Sequence, residues 1–226
     1  EQPLSVCENF ITPQTELISA YSIYETLPKE KNISSYEHFK RCCEIQGIAN
    51  TEKFLNYMLA IDYIIANSDR HFRNFGVIRN ANTLEWIGFA PLFDCGTSLW
   101  FNQIAKNIKP IKYDESKPFA TSHAKQIGFV TDLTWLDFQK LNGIENDCKK
   151  ILSSSKYIDE TRCENICYAI SKRIDMLKDL LVIFLTNKVF LISGCGHILL
   201  NIYCISHETI FWHFPLIPID IYHNPT

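Results

Sequence analysis

Asn67-Ser68-Asp69-Arg70-His71-Phe72-Arg73-Asn74-Phe75-Gly76 is the stretch that decides how this chain is interpreted. It follows a run from Thr51 in which apolar residues recur at intervals of three and four, which predicts an amphipathic helix ending near Ala66; the recurring residues are Phe54, Met58, Ile61 and Ile65. Asp69 and Asn74 stand five residues apart in the polar loop after this helix. That interval allows both side chains to face one pocket.

A second acidic motif follows about twenty residues later, where Ala90-Pro91-Leu92-Phe93 leads into Asp94. The intervening segment contains two β-prone runs, Gly76-Val77-Ile78 and Leu84-Glu85-Trp86-Ile87, on either side of a turn-forming Asn80-Ala81-Asn82. This pattern predicts a β-hairpin. Asp94 therefore falls at the end of an apolar strand, with Gly96 just beyond it.

The three polar side chains suit phosphoryl transfer, which needs metal ions on the phosphate oxygens and a carboxylate directed at the nucleophile. Magnesium prefers hard oxygen ligands, and one or two carboxylates with a neutral amide suffice beside a nucleotide. Asp69, Asn74 and Asp94 supply that set. Each motif alone also fits a simple turn, since Asn, Ser and Asp satisfy backbone groups at helix ends and before glycine. The two motifs together, in this order, favour the site.

The stretch 67–76 resembles the D-x-H-x-x-N-F loop of HipA-like serine/threonine kinases, and 90–94 resembles their metal-binding segment. Its D-R-H-x-x-N form is also similar to the loop of phosphatidylinositol kinases. The resemblance implies that Asp69 is the catalytic base, that Asn74 and Asp94 bind magnesium and thereby ATP, and that His71 orders the catalytic loop. The five-residue interval matches that between base and metal ligand in the protein-kinase catalytic loop.

The same resemblance implies an α+β, mostly α-helical fold, namely the C-terminal lobe of a kinase-like fold with a small β-hairpin at the active site. We expect residues 1–185 to form this lobe and 186–226 to be an atypical apolar tail. Gly47 is the only glycine among the first 50 residues, so no glycine-rich phosphate-covering loop is visible. The expectation is that the amino-terminal nucleotide-clamping lobe is missing and that the isolated chain binds ATP weakly.

Two functional alternatives remain beside a kinase that phosphorylates serine or threonine in a protein. The chain could be a non-catalytic interaction module that keeps a remnant kinase pocket and binds a partner of the antitoxin type. It could also be an enzyme of the lipid-kinase type. Intact Asp69, Asn74 and Asp94 favour an enzyme over the module.

Further helices are predicted on either side of the central motifs. Ser34-Ser35-Tyr36-Glu37 reads as a capping box that begins a helix, and Gly47 is placed to end it. Two more helices are expected at Asp132–Leu141 and from Asp159 to about Leu185, the second with a stripe of Ile166, Ile170, Ile174, Leu177 and Leu181.

Composition limits the class of protein and its partners. The 226 residues are 46% hydrophobic, which is enough for a substantial core. The formal charge of −3 provides no general basic field, so direct binding of nucleic acid is not expected. Nine cysteines, an odd number that includes adjacent Cys42 and Cys43, indicate reduced thiols and a cytoplasmic location.

The carboxy-terminal tail differs in character from the remainder. Val189 to Ser206 is eighteen residues without a formal charge, which reaches the lower limit for a membrane span. Polar and small residues within it argue against spanning, namely Gly194, Gly196, His197 and Asn201. A hypothesis is that the sequence from Leu185 onward is foreign, arising from a frameshift or read-through.

Several other residues allow more than one interpretation. His71 suits an orienting role better than that of a metal ligand or acid. Arg70 and Arg73 could contact phosphate or pair with surface carboxylates. Cys95 is interpreted as a small buried hydrophobe, and Cys163 with Cys167 as part of an amphipathic stripe rather than a metal site. Lys117-Pro118-Phe119 is either a substrate-facing loop or a turn.

Overall fold

A computed structural model describes residues 7–110 and 114–192 of the chain, with side chains described to residue 186. The element order is β1 (Thr15–Ser19), α1 (Ala20–Tyr24), α2 (Ser35–Ile45), α3 (Thr51–Ile65), β2 (Gly76–Asn80), β3 (Trp86–Phe89), a 3₁₀ turn (Ala105–Asn107), α4 (His123–Ile127), α5 (Ile144–Leu152) and α6 (Glu160–Ile192). The fold is α+β and mostly helical, which confirms the expected class.

The predicted hairpin is present, and a strand that the sequence did not indicate extends it to three strands. β2 pairs antiparallel with β3, and β1 pairs antiparallel with the other edge of β2, so the order is β1-β2-β3. A side chain at Gly76 would collide with the carbonyl oxygen of Ile18, so only glycine allows β1 to approach β2 here. The sheet is thereby anchored at the residue that ends the stretch 67–76.

α2 begins and ends where the sequence predicted. The Ser34 hydroxyl accepts a hydrogen bond from the backbone N–H of Glu37, as a capping serine does. Gly47 has φ of 71°, the left-handed conformation that favours glycine after a helix. α2 buries Phe39, Cys42 and Cys43 against the core.

α3 is the central helix of the fold, and its burial differs from the predicted stripe. It is buried on nearly every side, including two polar positions, Asn56 and Asp62. Thr131 satisfies Asn56, whose side-chain oxygen accepts the backbone N–H of Thr131 at 2.9 Å. α6 packs against α3 through the predicted stripe, of which Ile166, Ile170, Ile174 and Leu177 are buried.

The helix predicted at Asp132–Leu141 is wrong, because this segment forms consecutive turns. The side chains of Asp132 and Asp137 accept the backbone N–H groups two residues further on, at 2.9 Å and 3.0 Å. Such local hydrogen bonds compete with helix formation. The helix of this region, α5, begins only after Gly143, whose φ is 80°.

α6 begins close to the predicted residue, where Asp159 Oδ1 accepts the backbone N–H of Arg162 at 2.8 Å. The helix continues to Ile192 and therefore crosses the expected boundary between 185 and 186. Within 7–110 and 114–192, no helix is sufficiently long and apolar to cross a membrane. The segments for which a membrane span or a foreign origin was considered lie mostly beyond 192, outside the described residues.

Candidate active site

The loop after α3 holds Asp69 and Asn74 together through its own backbone. Ala66 adopts a left-handed conformation, φ 53°, which turns the chain out of the helix. The Asn74 side-chain amide then donates to the carbonyl oxygen of Asp69 at 3.1 Å. The backbone of His71 connects the two residues. Its N–H donates to the carbonyl oxygen of Asp69, and its carbonyl oxygen accepts from the backbone N–H of Asn74, each at 2.8 Å.

Arg70 is the buried centre of this loop. Its guanidinium is inaccessible to solvent and forms a two-pronged ion pair with Asp62 on α3. Nε lies 2.8 Å from Asp62 Oδ2 and Nη2 lies 2.9 Å from Oδ1. Neither sequence interpretation of Arg70 is correct, because its partner is a buried carboxylate rather than a phosphate or a surface acid.

The same guanidinium joins the loop to the segment that carries Asp94. Nη1 donates to the carbonyl oxygen of Asn74 at 2.7 Å and also to the carbonyl oxygen of Phe93. Nη2 contacts the Cys95 sulfur at 3.0 Å. Cys95 is therefore a half-buried hydrogen-bond partner and not the small buried hydrophobe that the sequence suggested. The two motifs predicted to form one site thus meet at a single side chain.

A second set of hydrogen bonds ties the two segments together beside Arg70. The Ser68 N–H and hydroxyl both bond the carbonyl oxygen of Thr97, at 3.2 Å and 3.1 Å. The Thr97 hydroxyl donates to Asn67 Oδ1 at 2.9 Å. The mutual placement of the two loops is therefore fixed by side-chain and backbone bonds on both flanks of Arg70.

The side chains expected to bind magnesium keep their oxygen atoms available. Asn74 uses its amide nitrogen within the loop, which leaves its amide oxygen without a hydrogen bond among the described residues. The Asp94 carboxylate is exposed, at a residue with φ of 53°, and has no ion pair in the described part of the chain. A carboxylate and an amide oxygen are the kinds of ligand that magnesium takes when it keeps most of its ligands from water and phosphate. No cluster of three or more His, Cys, Asp or Glu side chains suited to a metal occurs in 7–110 and 114–192.

The Asp69 carboxylate is partly exposed to solvent and lies near two basic side chains, Lys117 and His71. Lys117 Nζ donates to Asp69 Oδ1 at 2.6 Å, and His71 Nε2 lies 4.0 Å from Oδ2. The hydrogen bond from Lys117 holds the pKa of the Asp69 carboxyl below its ordinary value, although partial burial opposes this shift. Asp69 is therefore an ionised, accessible acceptor at neutral pH.

His71 and Arg73 are placed differently from one another. His71 Nδ1 accepts the backbone N–H of Arg73 at 3.2 Å, so the ring helps to shape the loop and faces Asp69 with its other nitrogen. The guanidinium of Arg73 stacks over the ring of Tyr21 at 4.8 Å. Arg73 thus pairs with an aromatic ring, which the sequence interpretation did not consider.

Three site residues were not identified from the sequence: Asp62, Arg70 in its actual role, and Lys117 as a partner of Asp69. Asp62 offered a signal, because a carboxylate inside an otherwise apolar helical run requires a buried partner. Lys117 belonged to a segment interpreted as a substrate-facing loop or a turn, but no local pattern connected it to Asp69, from which 48 residues separate it.

Two comparisons with known proteins found a kinase that resembles this chain. Serine/threonine-protein kinase CtkA of Helicobacter pylori is 29% identical over 106 residues, which cover 42% of this chain and 30% of that protein. The match therefore spans less than a third of the length of this curated relative.

The crystal structure of the H. pylori proinflammatory kinase CtkA has the same fold, with a TM-score of 0.52 and 18% identity over 83% of this chain and 76% of that one. No model of a known protein family matches the chain. The chain is thus similar in sequence to part of a serine/threonine kinase and shares the fold of its crystal structure, which confirms the resemblance found in its sequence.

Proposed function

We propose that this chain carries the catalytic groups for magnesium- and ATP-dependent transfer of a phosphoryl group to a serine or threonine of a protein. The observation that carries the proposal is the contact of the Arg70 guanidinium with the carbonyls of Asn74 and Phe93, because it holds the segment with Asp69 and Asn74 next to the segment with Asp94. The homology to a serine/threonine-protein kinase supports the same reaction.

Each proposed role follows from the state of the side chain. Asp69 accepts the proton of the attacking hydroxyl, a role that requires an ionised and accessible carboxylate. Asn74 and Asp94 hold magnesium through oxygen atoms that form no other bond among the described residues. Magnesium, when bound, neutralises charge that develops on the phosphoryl oxygens. His71 keeps the loop in shape through its bond to the Arg73 N–H.

In the proposed phosphoryl transfer, one bond to the γ-phosphorus forms as another breaks. The hydroxyl oxygen forms a bond to the γ-phosphorus of ATP while the bond from that phosphorus to the bridging oxygen breaks. The electron pair of the broken bond leaves with ADP, and the hydroxyl proton passes to Asp69. The protein stays covalently unchanged, and its contribution is to position groups and stabilise charge.

The acceptor class rests on the relative, which is a kinase for serine and threonine in proteins. We propose a protein substrate for this chain on that basis, and a protein partner of the antitoxin type remains a further proposal. An inositol lipid is the alternative acceptor, and its use would favour the resemblance to phosphatidylinositol kinases.

The test measures transfer of radiolabelled γ-phosphate by the full gene product to its own residues, to a mixture of serine/threonine peptides and to inositol lipid vesicles. We expect magnesium-dependent labelling of protein hydroxyls that Asp69→Asn abolishes. Asp179→Asn is the matched control, because Asp179 is an exposed acid on α6 away from the loop. The absence of labelling by either protein would reject the kinase and favour the non-catalytic module, whereas equal labelling by wild type and Asp69→Asn would show that Asp69 is not the base.

A further inference from the structure

A lysine from a distant part of the chain lies directly on the proposed catalytic carboxylate. Lys117 Nζ is 2.6 Å from Asp69 Oδ1, and the two residues are 48 apart in sequence. Among the ion pairs in the described residues, this is the one in which a lysine or arginine contacts Asp69. The fold therefore brings a lysine side chain to the carboxylate at which the hydroxyl would be activated.

The backbone around Lys117 is fixed without the help of its ammonium group. The buried side chain of Gln126 on α4 accepts the backbone N–H groups of Phe119 and Ala120, at 3.1 Å and 2.9 Å. The amide nitrogen of Gln126 donates to the carbonyl of Lys117 and, at 3.1 Å, to the Ser116 hydroxyl. One side chain thus holds four groups of the loop 116–120.

Aromatic packing aligns this loop with the catalytic loop. The ring of Phe119 packs edge-on against Phe72 at 5.5 Å between centroids, and it also contacts Phe75 at 6.5 Å. Both partners belong to the stretch 67–76 that contains Asp69. Further rings enclose Phe119, namely Tyr36, Phe39 and Phe129. Because these contacts are apolar, they place Lys117 beside Asp69 independently of charge.

The ion pair itself contributes little to folding. The side chains of Lys117 and Asp69 are 56% and 36% exposed, and ion pairs this exposed to solvent stabilise a fold only weakly. Gln126 and Phe119 already hold the loop. A lysine is therefore not needed here for stability, and its exposed ammonium is available to a ligand that approaches Asp69.

We infer that Lys117 is a further catalytic residue, whose ammonium contacts the phosphoryl group as it is transferred from ATP. This inference rests on the proposed function and adds a residue to it. A base lies about 2.6–3.2 Å from the hydroxyl that it deprotonates, and the reacting oxygen and phosphorus lie about 3–3.5 Å apart. An ammonium bonded to the same carboxylate needs only rotation of its flexible stem to reach a phosphoryl oxygen.

The charge of Lys117 suits this position. Negative charge spreads over the equatorial oxygens of the transferring group, and lysine binds phosphate as a compact point charge. Lys117 keeps its protons throughout the step, since the hydroxyl proton goes to Asp69. Its contact with Asp69 before the nucleotide binds holds the ammonium where it is needed.

The experiment uses an ATP analogue with an acyl group on its terminal phosphate. A lysine amine near that phosphate attacks the acyl carbon, the carbon–nitrogen bond of an amide forms, and ATP leaves with the electron pair of the broken carbon–oxygen bond. Mass spectrometry of the digested full gene product then identifies the acylated lysine. We expect acylation of Lys117 that excess magnesium-ATP suppresses. Lys125 is the matched control, because it is an exposed lysine eight residues further on and should not be labelled above background.

The outcomes separate this inference from the proposed function. Suppressible acylation at other lysines with Lys117 unmodified would overturn the role of Lys117 and leave nucleotide binding intact. The absence of suppressible acylation anywhere would count against nucleotide binding and so against both. Kinetics give a second readout: Lys117→Met should lower kcat by about 10²–10³-fold, with Lys117→Arg partly active. An unchanged melting temperature in both variants distinguishes this loss from a structural one, whereas Lys117→Met with wild-type kcat would overturn the inference.

Discussion

Arg70 and Asp62 form a fully buried ion pair in which the guanidinium meets both carboxylate oxygens, at 2.8 Å and 2.9 Å. Both side chains are essentially inaccessible to solvent. The pair raises the pKa of Arg70 through the hydrogen bonds and charge of Asp62, against the opposing effect of burial. Because the remaining Arg70 donors reach Asn74 and Phe93, the pair fixes the site and the core at once.

Removing one partner of this pair should destabilise the protein severely. Asp62→Ala leaves the Arg70 guanidinium buried without a counter-ion, and breaking such a pair costs about 3–5 kcal/mol. We expect a loss of that size in the free energy of unfolding, measured by urea denaturation monitored by circular dichroism.

The double variant Asp62→Leu with Arg70→Met separates stability from function. It leaves no unpaired buried charge, so it should be more stable than Asp62→Ala. It should nevertheless transfer phosphate more slowly, because the carbonyls of Asn74 and Phe93 lose their shared donor and the two loops are left to the bonds of Thr97 with Ser68 and Asn67. A double variant that transfers phosphate at the wild-type rate would show that Arg70 does not organise the site.

Asp94 should show the opposite behaviour. Its carboxylate is exposed and has no ion pair within 7–110 and 114–192, so Asp94→Asn should change the unfolding free energy by less than about 0.5 kcal/mol. The same variant should lose magnesium-dependent phosphoryl transfer, because the amide is a weaker ligand than the carboxylate. Rate measurements over a magnesium titration test this, with Asp179→Asn as the control. Full activity at wild-type magnesium concentrations would remove Asp94 from the site.

The sequence predicted what is local, and the structure added what depends on tertiary contacts. The hairpin, the helix from Ser35 and the helix from Thr51 follow from caps, turn residues and apolar periodicity. β1 was missed because a five-residue strand, Thr15–Ser19, becomes one only by pairing with β2, more than fifty residues away. The turns from Asp132 were mistaken for a helix because their Asx bonds leave the apolar spacing unchanged.

The candidate site divides in the same way. Asp69, Asn74 and Asp94 belong to short motifs that can be recognised in one dimension. Arg70 lies inside the motif, yet its partner Asp62 is on the preceding helix, and no local pattern distinguishes a buried guanidinium from an exposed one. Lys117 reaches Asp69 because rings at Phe72 and Phe119 pack together, which only the folded chain reveals.

Gly76 should tolerate no side chain. A Cβ there would collide with the carbonyl oxygen of Ile18, so Gly76→Ala must separate β1 from β2 or shift the strand. We expect a loss of about 1–3 kcal/mol in unfolding free energy, as for other over-packed sites. Gly96→Ala is the matched control, because nothing lies within 4 Å of the added carbon. Equal stability of the two variants in urea denaturation would contradict the close approach of the strands.

The stability of the protein should fall in mild acid because of His123. Burial is the main cause that lowers the pKa of this histidine to about 3, and the positive charge of Arg173 adds to the effect. Tyr63 and Asp114 also face this region, since the Tyr63 ring contacts the His123 ring and the backbone carbonyl of Asp114 accepts the backbone N–H of His123 at 3.0 Å. Above the unfolded pKa near 6.5 the ring is neutral in both the folded and the unfolded chain, and the protein keeps its full stability. As the pH falls from there toward 3, the unfolded chain binds a proton that the folded chain does not, so the free energy of unfolding decreases.

Replacing the histidine should remove that pH dependence. Between about pH 6 and 4, the unfolding free energy of the wild type should decline more steeply than that of His123→Phe, by up to about 1.4 kcal/mol per pH unit. Denaturation curves at several pH values measure both slopes. Carboxylates present in both proteins contribute equally to the two slopes, so the difference between the slopes reports on His123. Parallel profiles for wild type and His123→Phe would mean that His123 binds its proton equally well in the folded and unfolded chains.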